Sequence, residues 1–391
     1  MKRMLIVGGG YADIPLIQSA QRMGYHVVTT GNRPEELGHS YSDEYHKVDF
    51  SDCDAVLRLA KKLNVAAICS SCNDFAALSA AYTVEHLGLA GHDTFEIAQI
   101  IHHKDKYRSF ASANDIPTPT ARGFSESEKA LKGIEEFNFP VIIKPVDLTG
   151  GKGISVVNKI KEAQAAIEKA FSISKAKRIV IEEFITGTRH GFSAFLYKSK
   201  VCFYFSDNEH YYINPYMVSA ASTPSIVSKA VLQNLCKQSE KIASLLSLVD
   251  GILHIQFILR GNEPVIIEIC RRAPGDLYVK LVEYATGVDY PGWIVKASAG
   301  IDCFELKQTD TKGFFTRHCI MSANPGKVQN ILFDRSIENN IIEKFMWWKK
   351  GDHINDVKTS KFGIVFFKFG SMDEMIFKTT NLNKLIKVIT E

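Results

Sequence analysis

Residues 139–155, Phe139-Pro-Val-Ile-Ile-Lys-Pro-Val-Asp-Leu-Thr-Gly-Gly-Lys-Gly-Ile-Ser155, decide the fold of this chain. Val141, Ile142 and Ile143 form a short apolar run with β-branched residues, which indicates a buried strand. Pro145 has no N–H and cannot donate to a neighbouring strand at its own position. A second β-branched run follows at 154–157, after a glycine-rich loop. The stretch therefore predicts two strands joined by a flap.

The flap has the composition of a site for an anion. Its glycines allow backbone N–H groups to approach a ligand closely, because no Cβ atoms stand in the way. Lys144, on the strand before the flap, supplies a positive charge suited to phosphate. An ordinary hairpin with an exposed lysine is the alternative for the loop by itself. The loop also departs from the P-loop pattern, since no Gly-Lys-Ser/Thr opens a helix here. The flap residues proposed to contact the anion are Gly150, Gly151, Lys152 and Gly153.

Composition places the chain among ordinary globular proteins. Its 391 residues predict two to four structural units, and 46% are apolar and 23% charged. The net charge of +4 comes from 47 basic and 43 acidic residues, which is too balanced to predict nucleic acid or a membrane as partner. No apolar run is long enough to span a membrane. The eight scattered cysteines are typical of reduced thiols, so we expect a cytoplasmic protein.

The first hundred residues alternate strands and helices. This order predicts a doubly wound parallel sheet with ligands at the carboxyl ends of its strands. The predicted strands are 4–7, 26–30 and 66–69, and the predicted helices include 52–63 and 75–87. Asp13 stands in place of the third glycine after Gly8-Gly9-Gly10, which disfavours a nicotinamide site. The loop can instead hold an anionic substrate group at a helix N-terminus.

The order of motifs in the middle of the chain resembles the ATP-grasp superfamily, and in particular carboxylate–amine ligases and biotin carboxylase. Asp105-Lys106 opens a helix, Ile116-Pro-Thr-Pro119 continues as an extended connection, and Lys144 and the flap follow. The resemblance implies that Lys106 and Lys144 clamp the phosphates of ATP beneath the flap. It also implies that backbone groups of a hinge contact adenine and that His190 contacts the ribose, with an exposed histidine as the alternative. The hinge residues are Glu182, Glu183, Phe184 and Ile185.

A predicted hairpin near residue 260 carries the candidate metal ligands. Its strands, 251–259 and 265–270, place Gln256 and Glu268 toward one cavity, and oxygen ligands suit Mg²⁺. The resemblance implies a site for Mg²⁺ or Mn²⁺ built from two acids and an asparagine. Here Cys270 replaces the asparagine, and a thiol is a poor ligand for a hard cation. The resemblance further assigns catalysis to Arg272, which would stabilise the reacting phosphate or carboxylate together with Lys144.

We predict an α/β protein with three parts. These are an N-terminal parallel-sheet domain at 1–95, an ATP-grasp domain at 96–305 with its flap subdomain at about 115–185, and a small antiparallel C-terminal cap at 306–391. We further expect a substrate-facing loop at 211–224 and a closing helix at 372–389. Arg317 and His318 are expected at the surface, with contact to the acceptor site as the alternative.

The resemblance implies an ADP-forming ligase that activates a small-molecule carboxylate as an acyl phosphate and transfers it to an amine. We expect no nucleic acid or membrane partner, and a homodimer is the default assembly. One alternative is activation of bicarbonate, as in biotin carboxylase or carbamoyl-phosphate synthetase. A second is an ATP-binding regulatory module with impaired catalysis, which Gln256 and Cys270 motivate. The sequence identifies neither the acid nor the amine.

Overall fold

The computed structural model describes residues 2–148 and 150–391, and in this part of the chain the strands form four sheets. The helices are α1 (Ile14–Arg22), α2 (Cys53–Leu63), α3 (Asp74–Leu87), α4 (Phe95–His102), α5 (Lys104–Ala113), α6 (Ser127–Gly133), α7 (Ala163–Ile173), α8 (Lys229–Leu245), α9 (Tyr278–Thr286), α10 (Tyr290–Ser298), α11 (Arg335–Glu338) and α12 (Met372–Leu385). None of these described helices is both long enough and apolar enough to cross a membrane.

The strands follow in chain order. They are β1 (Arg3–Val7), β2 (His26–Gly31), β3 (Glu44–Lys47), β4 (Ala67–Ser70), β5 (Ala121–Phe124), β6 (Val141–Pro145), β7 (Ser155–Val157), β8 (Ile179–Glu183), β9 (Thr188–Tyr197), β10 (Lys200–His210), β11 (Ala220–Thr223), β12 (Gly251–Arg260), β13 (Glu263–Cys270), β14 (Phe314–Ile320), β15 (Gly326–Phe333), β16 (Ile341–Met346), β17 (His353–Ile354), β18 (Gly363–Phe369) and β19 (Ile386–Thr390).

The N-terminal sheet is parallel, with the strand order β3-β2-β1-β4. Successive side chains of β1 point to opposite faces of the sheet, and both faces are covered. Leu5 and Val7 pack in the cluster that contains the buried face of α2, whereas Met4 and Ile6 pack in the cluster that contains α1. A strand buried on both sides needs a continuous apolar run, which is why this one could be predicted. The predicted fold class is confirmed.

The flap belongs to an antiparallel sheet with the order β5-β8-β6-β7. Val141 pairs with Val157, so the two apolar runs lie side by side and the loop closes their end. Gly151 has a φ of +78°, and a Cβ at this position would lie 2.7 Å from Tyr216 Cβ. Glycine is therefore needed both for the backbone conformation and for the close approach of the flap to the segment around Tyr216.

The largest sheet has eight strands in the order β13-β12-β9-β10-β11-β14-β18-β16. Three strands of the C-terminal part, β14, β18 and β16, extend the sheet formed by the middle of the chain. The connection is β11, which pairs with β10 on one side and with β14 on the other. Residues 211–224 were expected to form a loop only, but Ala220–Thr223 are wholly buried and complete the sheet. These residues form a strand because they pair with β10 on one edge and β14 on the other, and the local sequence does not encode this pairing.

The C-terminal residues also form a small antiparallel sheet with the order β17-β15-β19. The helix expected at 372–389 ends at Leu385, and Ile386–Thr390 form β19 against β15. Ile386 and Val388 pack in the small apolar core, while Lys387 and Ile389 are exposed. Since the same apolar residues suit a helix or a strand, the partner strand β15 decides the outcome.

A buried ion pair ties the N-terminal domain to the large sheet. Arg271 follows β13, and its Nε lies 2.8 Å from Asp93 Oδ2. The two side chains are 9% and 5% exposed. Arg271 Nη2 also donates to Val249 O at 2.6 Å, and Val249 N donates to Asp93 Oδ1 at 2.8 Å. The pair is therefore satisfied on both sides, as a buried charge pair must be.

Replacing Asp93 tests how much this pair contributes to stability. Asp93→Ala leaves the Arg271 guanidinium buried without its counter-charge, so we expect a loss of about 3–5 kcal/mol in the free energy of unfolding. Urea denaturation followed by circular dichroism measures it. The control is Asp310→Ala, which changes an exposed aspartate and should stay within about 0.5 kcal/mol of the wild type. Equal midpoints for the two variants would contradict the assignment.

Candidate active site

A cavity of about 400 Å³ lies where the three parts of the chain meet. The loops after β1 and β4 line one wall, and strands β10, β12 and β13 line another. Gly150 of the flap and the C-terminal residues Arg317 and Lys361 also line the cavity. The carboxyl ends of the parallel strands thus open onto the cavity, as expected for a ligand site in a doubly wound sheet.

Glu268 and Gln256 lie side by side in this cavity. They are paired positions on β13 and β12, so their side chains project from the same face of the sheet. Lys104 Nζ lies 3.3 Å from Glu268 Oε1 and donates to Leu148 O, at the start of the flap loop, at 2.9 Å. Gln256 Nε2 donates to Glu209 Oε1 at 2.7 Å, so the amide carbonyl oxygen is the part of Gln256 that can bind a cation.

The lysine beside Glu268 is Lys104, which the sequence analysis missed, and not Lys106. Lys106 Nζ donates to Gln99 Oε1 at 2.7 Å. The two lysines are two positions apart on α5, and residues at this spacing do not face the same side of a helix. Lys104 belongs to the same short motif as Lys106, so the signal was in the sequence, but only the helix orientation distinguishes the two.

Lys144 lies in a buried cluster of charges. Its Nζ is 2.7 Å from Glu182 Oε2, and Arg108 Nε is 3.0 Å from Glu182 Oε1. Burial lowers the pKa of Lys144, while Glu182 acts in the opposite direction. Burial alone would raise the pKa of Glu182, but the charges of Arg108 and Lys144 outweigh it and lower that pKa. The Glu182 carboxylate therefore holds these cations and is not itself free to contact a nucleotide.

The other predicted hinge residues, Glu183, Phe184 and Ile185, come directly after Glu182 in the chain. The N–H groups of Glu183 and Phe184 donate to Thr120 O at 2.8 Å and to Pro140 O at 3.3 Å. The Glu183 carboxylate pairs with Arg260 at the surface, at 2.9 Å. Ile185 is buried in a small apolar cluster. The hinge is thus held rigidly by its own contacts, and contact with adenine through its remaining backbone groups stays a prediction.

The flap residues have different surroundings. Gly150 lines the cavity, and its carbonyl accepts a hydrogen bond from Asn214 Nδ2 at 3.3 Å. Gly151 packs on Tyr216, as described above, and Gly153 packs against Ile173 and Pro145. Lys152 is exposed. In this structure the flap therefore contacts the 211–217 segment, and of its predicted residues Gly150 reaches the cavity.

His190 lies inside the large sheet. It is 1% exposed, its Nε2 is 2.7 Å from Thr188 Oγ1, and its ring stacks on Phe257 with centroids 5.3 Å apart. Burial lowers the pKa of His190 to about 4, so the ring is neutral at physiological pH. These surroundings argue against the predicted ribose contact and against the alternative of an exposed histidine, because β9 continues through this position.

Arg272 is held in the cavity wall by the N-terminal domain. Its Nε donates to Asp74 Oδ1 at 2.7 Å, and His102 Nδ1 lies 2.9 Å from the same oxygen. Burial alone would raise the pKa of Asp74, but the Arg272 charge outweighs it and holds that pKa far below its usual range. Asp74 is the first residue of α3. Arg272 is thus a permanent cation with a fixed orientation.

Asp13 closes the glycine loop after β1. Its Oδ2 accepts from Gly10 N at 2.8 Å and its Oδ1 accepts from Cys72 N at 2.9 Å. Burial raises the pKa of Asp13. The Asp13 carboxylate accepts the hydrogen bond of a loop N–H that an anionic ligand would need. This contact is a structural reason for the acid that stands in place of the third glycine of the dinucleotide-binding pattern. Cys72 is held here through its backbone, in line with a structural role.

Two acidic groups in the cavity were missed by the sequence analysis. Asp207 and Glu209 lie on β10 and line the cavity, two positions apart and so on one face of the strand. The second group centres on Asp276, whose Oδ1 accepts from Tyr11 OH and Lys361 Nζ, both at 2.6 Å, while Arg317 Nη1 lies 3.4 Å from its Oδ2. Arg317 and His318 are 2% and 3% exposed, so the expectation of surface positions was wrong, and Arg317 lines the cavity.

The oxygen atoms around Glu268 can bind a hard divalent cation only if a bound nucleotide and water supply the remaining oxygen ligands. In residues 2–148 and 150–391, no group of three or more His, Cys, Asp or Glu side chains could hold a metal ion by itself. Glu268 and Gln256 offer oxygen atoms, and Mg²⁺ completes its shell with phosphate oxygens and water. Cys270 donates its thiol hydrogen bond to Arg272 O, and burial raises the pKa of this thiol to about 11. Cys270 therefore does not fit as a ligand.

Comparison with known proteins agrees with this arrangement. The family described as "Phosphoribosylglycinamide synthetase, ATP-grasp (A) domain" matches residues 103–276. Phosphoribosylamine–glycine ligase of Pyrococcus abyssi is 29% identical over 318 residues, which cover 73% of this chain and 72% of the relative. The carbamoyl phosphate synthase large chain of Campylobacter jejuni is 22% identical over 80% of this chain, but this match spans 31% of that relative.

Solved structures show the same fold over the whole chain. Phosphoribosylglycinamide synthetase from Anaerococcus prevotii superposes with a TM-score of 0.77 at 23% identity, covering 100% of both chains. L-amino acid ligase from Bacillus licheniformis superposes with a TM-score of 0.81 at 18% identity, covering 100% of this chain and 99% of that one. Residues 103–276 belong to the ATP-grasp family, and the chain as a whole shares the fold of these enzymes. The names of these relatives agree with the predicted class, an ADP-forming carbon–nitrogen ligase.

Paired substitutions on α5 distinguish the two candidate lysines. Lys104→Ala removes the ammonium beside Glu268, so ATP affinity should fall about 10- to 100-fold, as for loss of one contact to a charged group. Lys106→Ala removes a contact to Gln99 and should leave ATP affinity nearly unchanged. Isothermal titration calorimetry with ATP and Mg²⁺ measures both, and thermal unfolding checks that both variants are folded. A larger effect for Lys106→Ala would restore the original assignment.

Proposed function

We propose that the protein joins a small-molecule carboxylate to an amine, with ATP cleaved to ADP and phosphate in the central cavity. The observation that carries the proposal is the meeting of Lys104, Glu268 and Arg272 in one site next to the flap. Two fixed cations and an acidic metal ligand there suit a reaction in which phosphate charge must be neutralised.

The nucleotide would lie between the flap sheet and β13. Lys104, Lys144 and the flap N–H groups would face its phosphates, with adenine at the hinge after β8. The site would take Mg²⁺, or Mn²⁺ in its place, through Glu268 and the carbonyl oxygen of Gln256. The ion would supply positive charge that neutralises the phosphate oxygens. Lys144 is paired with Glu182 at 2.7 Å and would contact a phosphate only after a rotation of its side chain.

The chemistry follows from these positions in two steps. A substrate carboxylate oxygen attacks the γ-phosphorus of ATP, which forms an acyl phosphate and releases ADP. The amine then attacks the acyl carbon, and inorganic phosphate leaves. Arg272 would bind the carboxylate and the acyl phosphate through its planar guanidinium, which Asp74 orients. The protein would contribute positioning and charge stabilisation, with no covalent intermediate on the chain.

Closure of the flap would protect the acyl phosphate from water. The flap already contacts the 211–217 segment through Gly150 and Gly151, and this segment continues into β11 and the C-terminal strands. A closed flap therefore rests on residues that also border the substrate end of the cavity. Exclusion of water matters because an acyl phosphate hydrolyses if its amine partner is absent.

An ADP-release assay with a panel of acids and amines tests the proposed function. The panel should include bicarbonate, and mass spectrometry should identify the product. ADP formation should require a carboxylate and should rise when an amine is present. ATP binding without ADP release from any acid would favour a regulatory module, and ADP release with bicarbonate alone would favour a bicarbonate-activating enzyme.

Glu268→Gln tests the role of the acidic ligand. The variant keeps the size of the side chain but removes the charge opposite Lys104, so we expect kcat for ADP release to fall about 100-fold or more. Glu263→Gln, on the same strand with a 55% exposed side chain, is the matched control and should behave like the wild type. Full activity in Glu268→Gln would refute the metal and phosphate site as placed here.

A further inference from the structure

We propose that Asp207 and Glu209 form the receptor for the ammonium group of the amine substrate, so that the acceptor is a primary amine that binds in its protonated form. This inference rests on the proposed ligase function and adds to it the location and charge of the amine site. The two acids lie on the cavity face of β10, and Gln256 connects them to Glu268 by its 2.7 Å hydrogen bond to Glu209.

The sheet is shaped to accommodate the Asp207 carboxylate. Asp207 pairs with Gly191 on the neighbouring strand β9. A Cβ at Gly191 would overlap Asp207 Oδ1, so glycine leaves the space into which the carboxylate folds. This glycine has ordinary strand geometry within β9, so steric room and not backbone conformation explains it. The fold therefore holds a carboxylate over the sheet at the edge of the cavity.

Asp207 lacks a counter-charge. It is 1% exposed, and its Oδ1 accepts a hydrogen bond from Tyr278 OH at 2.7 Å. Its Oδ2 is buried and has no hydrogen-bond partner in the described structure. A buried carboxylate oxygen without a partner is costly, which indicates that a ligand atom completes this position. Since Asp207 lines the cavity, that ligand atom can come from the substrate.

Glu209 has neutral partners only. Its Oε2 accepts from Tyr211 OH at 2.5 Å and its Oε1 accepts from Gln256 Nε2. Among the described residues, no lysine, arginine or histidine side chain donates a hydrogen bond to either carboxylate. The nearby cations have other direct contacts, since Arg317 pairs with Asp276 and Arg189 lies 4.4 Å over the ring of Tyr211, and they act on the two acids only at longer range. Two adjacent acids and no bound cation make a site for a positive ligand.

An ammonium group fits this site better than a second divalent ion. Three of the four carboxylate oxygens already accept hydrogen bonds, which leaves Asp207 Oδ2 as the strongest remaining acceptor. A divalent ion would need about six oxygen ligands. An ammonium donates three hydrogen bonds and can share acceptors that are already in use. The same acids also repel anions, so they would keep the carboxylate substrate at the Arg272 end.

The carboxylate can also take the proton that the amine must lose. Burial raises the pKa of Asp207 to about 7, with the Glu209 charge acting in the same direction. The ammonium R–NH₃⁺ would give one proton to Asp207, which becomes the neutral acid, and R–NH₂ would attack the acyl phosphate. The C–N bond forms, and the bond between the acyl carbon and the phosphate oxygen breaks. A second proton of the nitrogen leaves with the phosphate as hydrogen phosphate. A base with a pKa near the working pH suits this transfer.

A comparison of two nucleophiles tests the amine receptor. Hydroxylamine is largely uncharged at neutral pH and traps an acyl phosphate as a hydroxamate, so it does not need the ammonium receptor. The amine panel consists of the twenty amino acids and short diamines, which are protonated at their reactive nitrogens. For Asp207→Asn and for Glu209→Gln, the ratio of amide to hydroxamate should fall about tenfold or more relative to wild type. Asp310→Asn, which changes an exposed acid, is the control and should keep the wild-type ratio.

Each outcome has a distinct meaning. An unchanged ratio in both folded variants would overturn the amine receptor while leaving the ligase proposal intact. Absence of hydroxamate from the wild type with every acid would overturn the ligase proposal itself. Recovery of the lost activity at about tenfold higher Mg²⁺ would show that the pair binds a divalent ion, which also overturns the inference. If Asp207→Asn does not fold, Glu209→Gln provides the same comparison independently.

Discussion

The ion pair between Arg272 and Asp74 is the interaction on which the site depends. It joins β13, which carries Glu268, to the first residue of α3 in the N-terminal domain. A guanidinium buried in the cavity wall needs a counter-charge, and the pair supplies one while leaving the planar group fixed. The nearby Arg271–Asp93 pair does the same for the adjacent residue. Both pairs tie the strand that carries the metal ligand to the domain that forms the opposite wall.

Charge is distributed unevenly along the cavity, so that one end is cationic and the other is acidic. Lys104 and Arg272 lie near Glu268, whereas Asp207 and Glu209 lie on β10 without paired cations. The cations at one end suit phosphates and a carboxylate, and the acids at the other suit an amine. Asp276 pairs with both Arg317 and Lys361, so these two cations are held together in the C-terminal wall of the cavity. In the proposed reaction, this arrangement would separate the two substrates by electrostatics before any chemistry occurs.

Much of the fold could be predicted because its signals are local. The apolar run of β1, the flap glycines and the hairpin that carries Gln256 and Glu268 each follow from residues close together in the chain. The predictions that were wrong have a common cause, which is that a segment far away in the chain determines the local structure. Strand β11 forms because β10 and β14 flank it, and β19 forms because β15 pairs with it. The burial of His190 and Arg317 depends in the same way on strands far away in the sequence.

The sequence by itself determined the superfamily, the order of the nucleotide motifs and the identity of Glu268 and Arg272 as site residues to be tested. The tertiary structure decided which side chains share the cavity. It placed Lys104 instead of Lys106 beside Glu268, and it brought Asp207 and Glu209 to the same wall. The physical reason is that motif order depends on chain connectivity, whereas the direction of a side chain depends on the turn of its helix or the face of its strand. Those directions are set by packing between segments that are far apart in the chain.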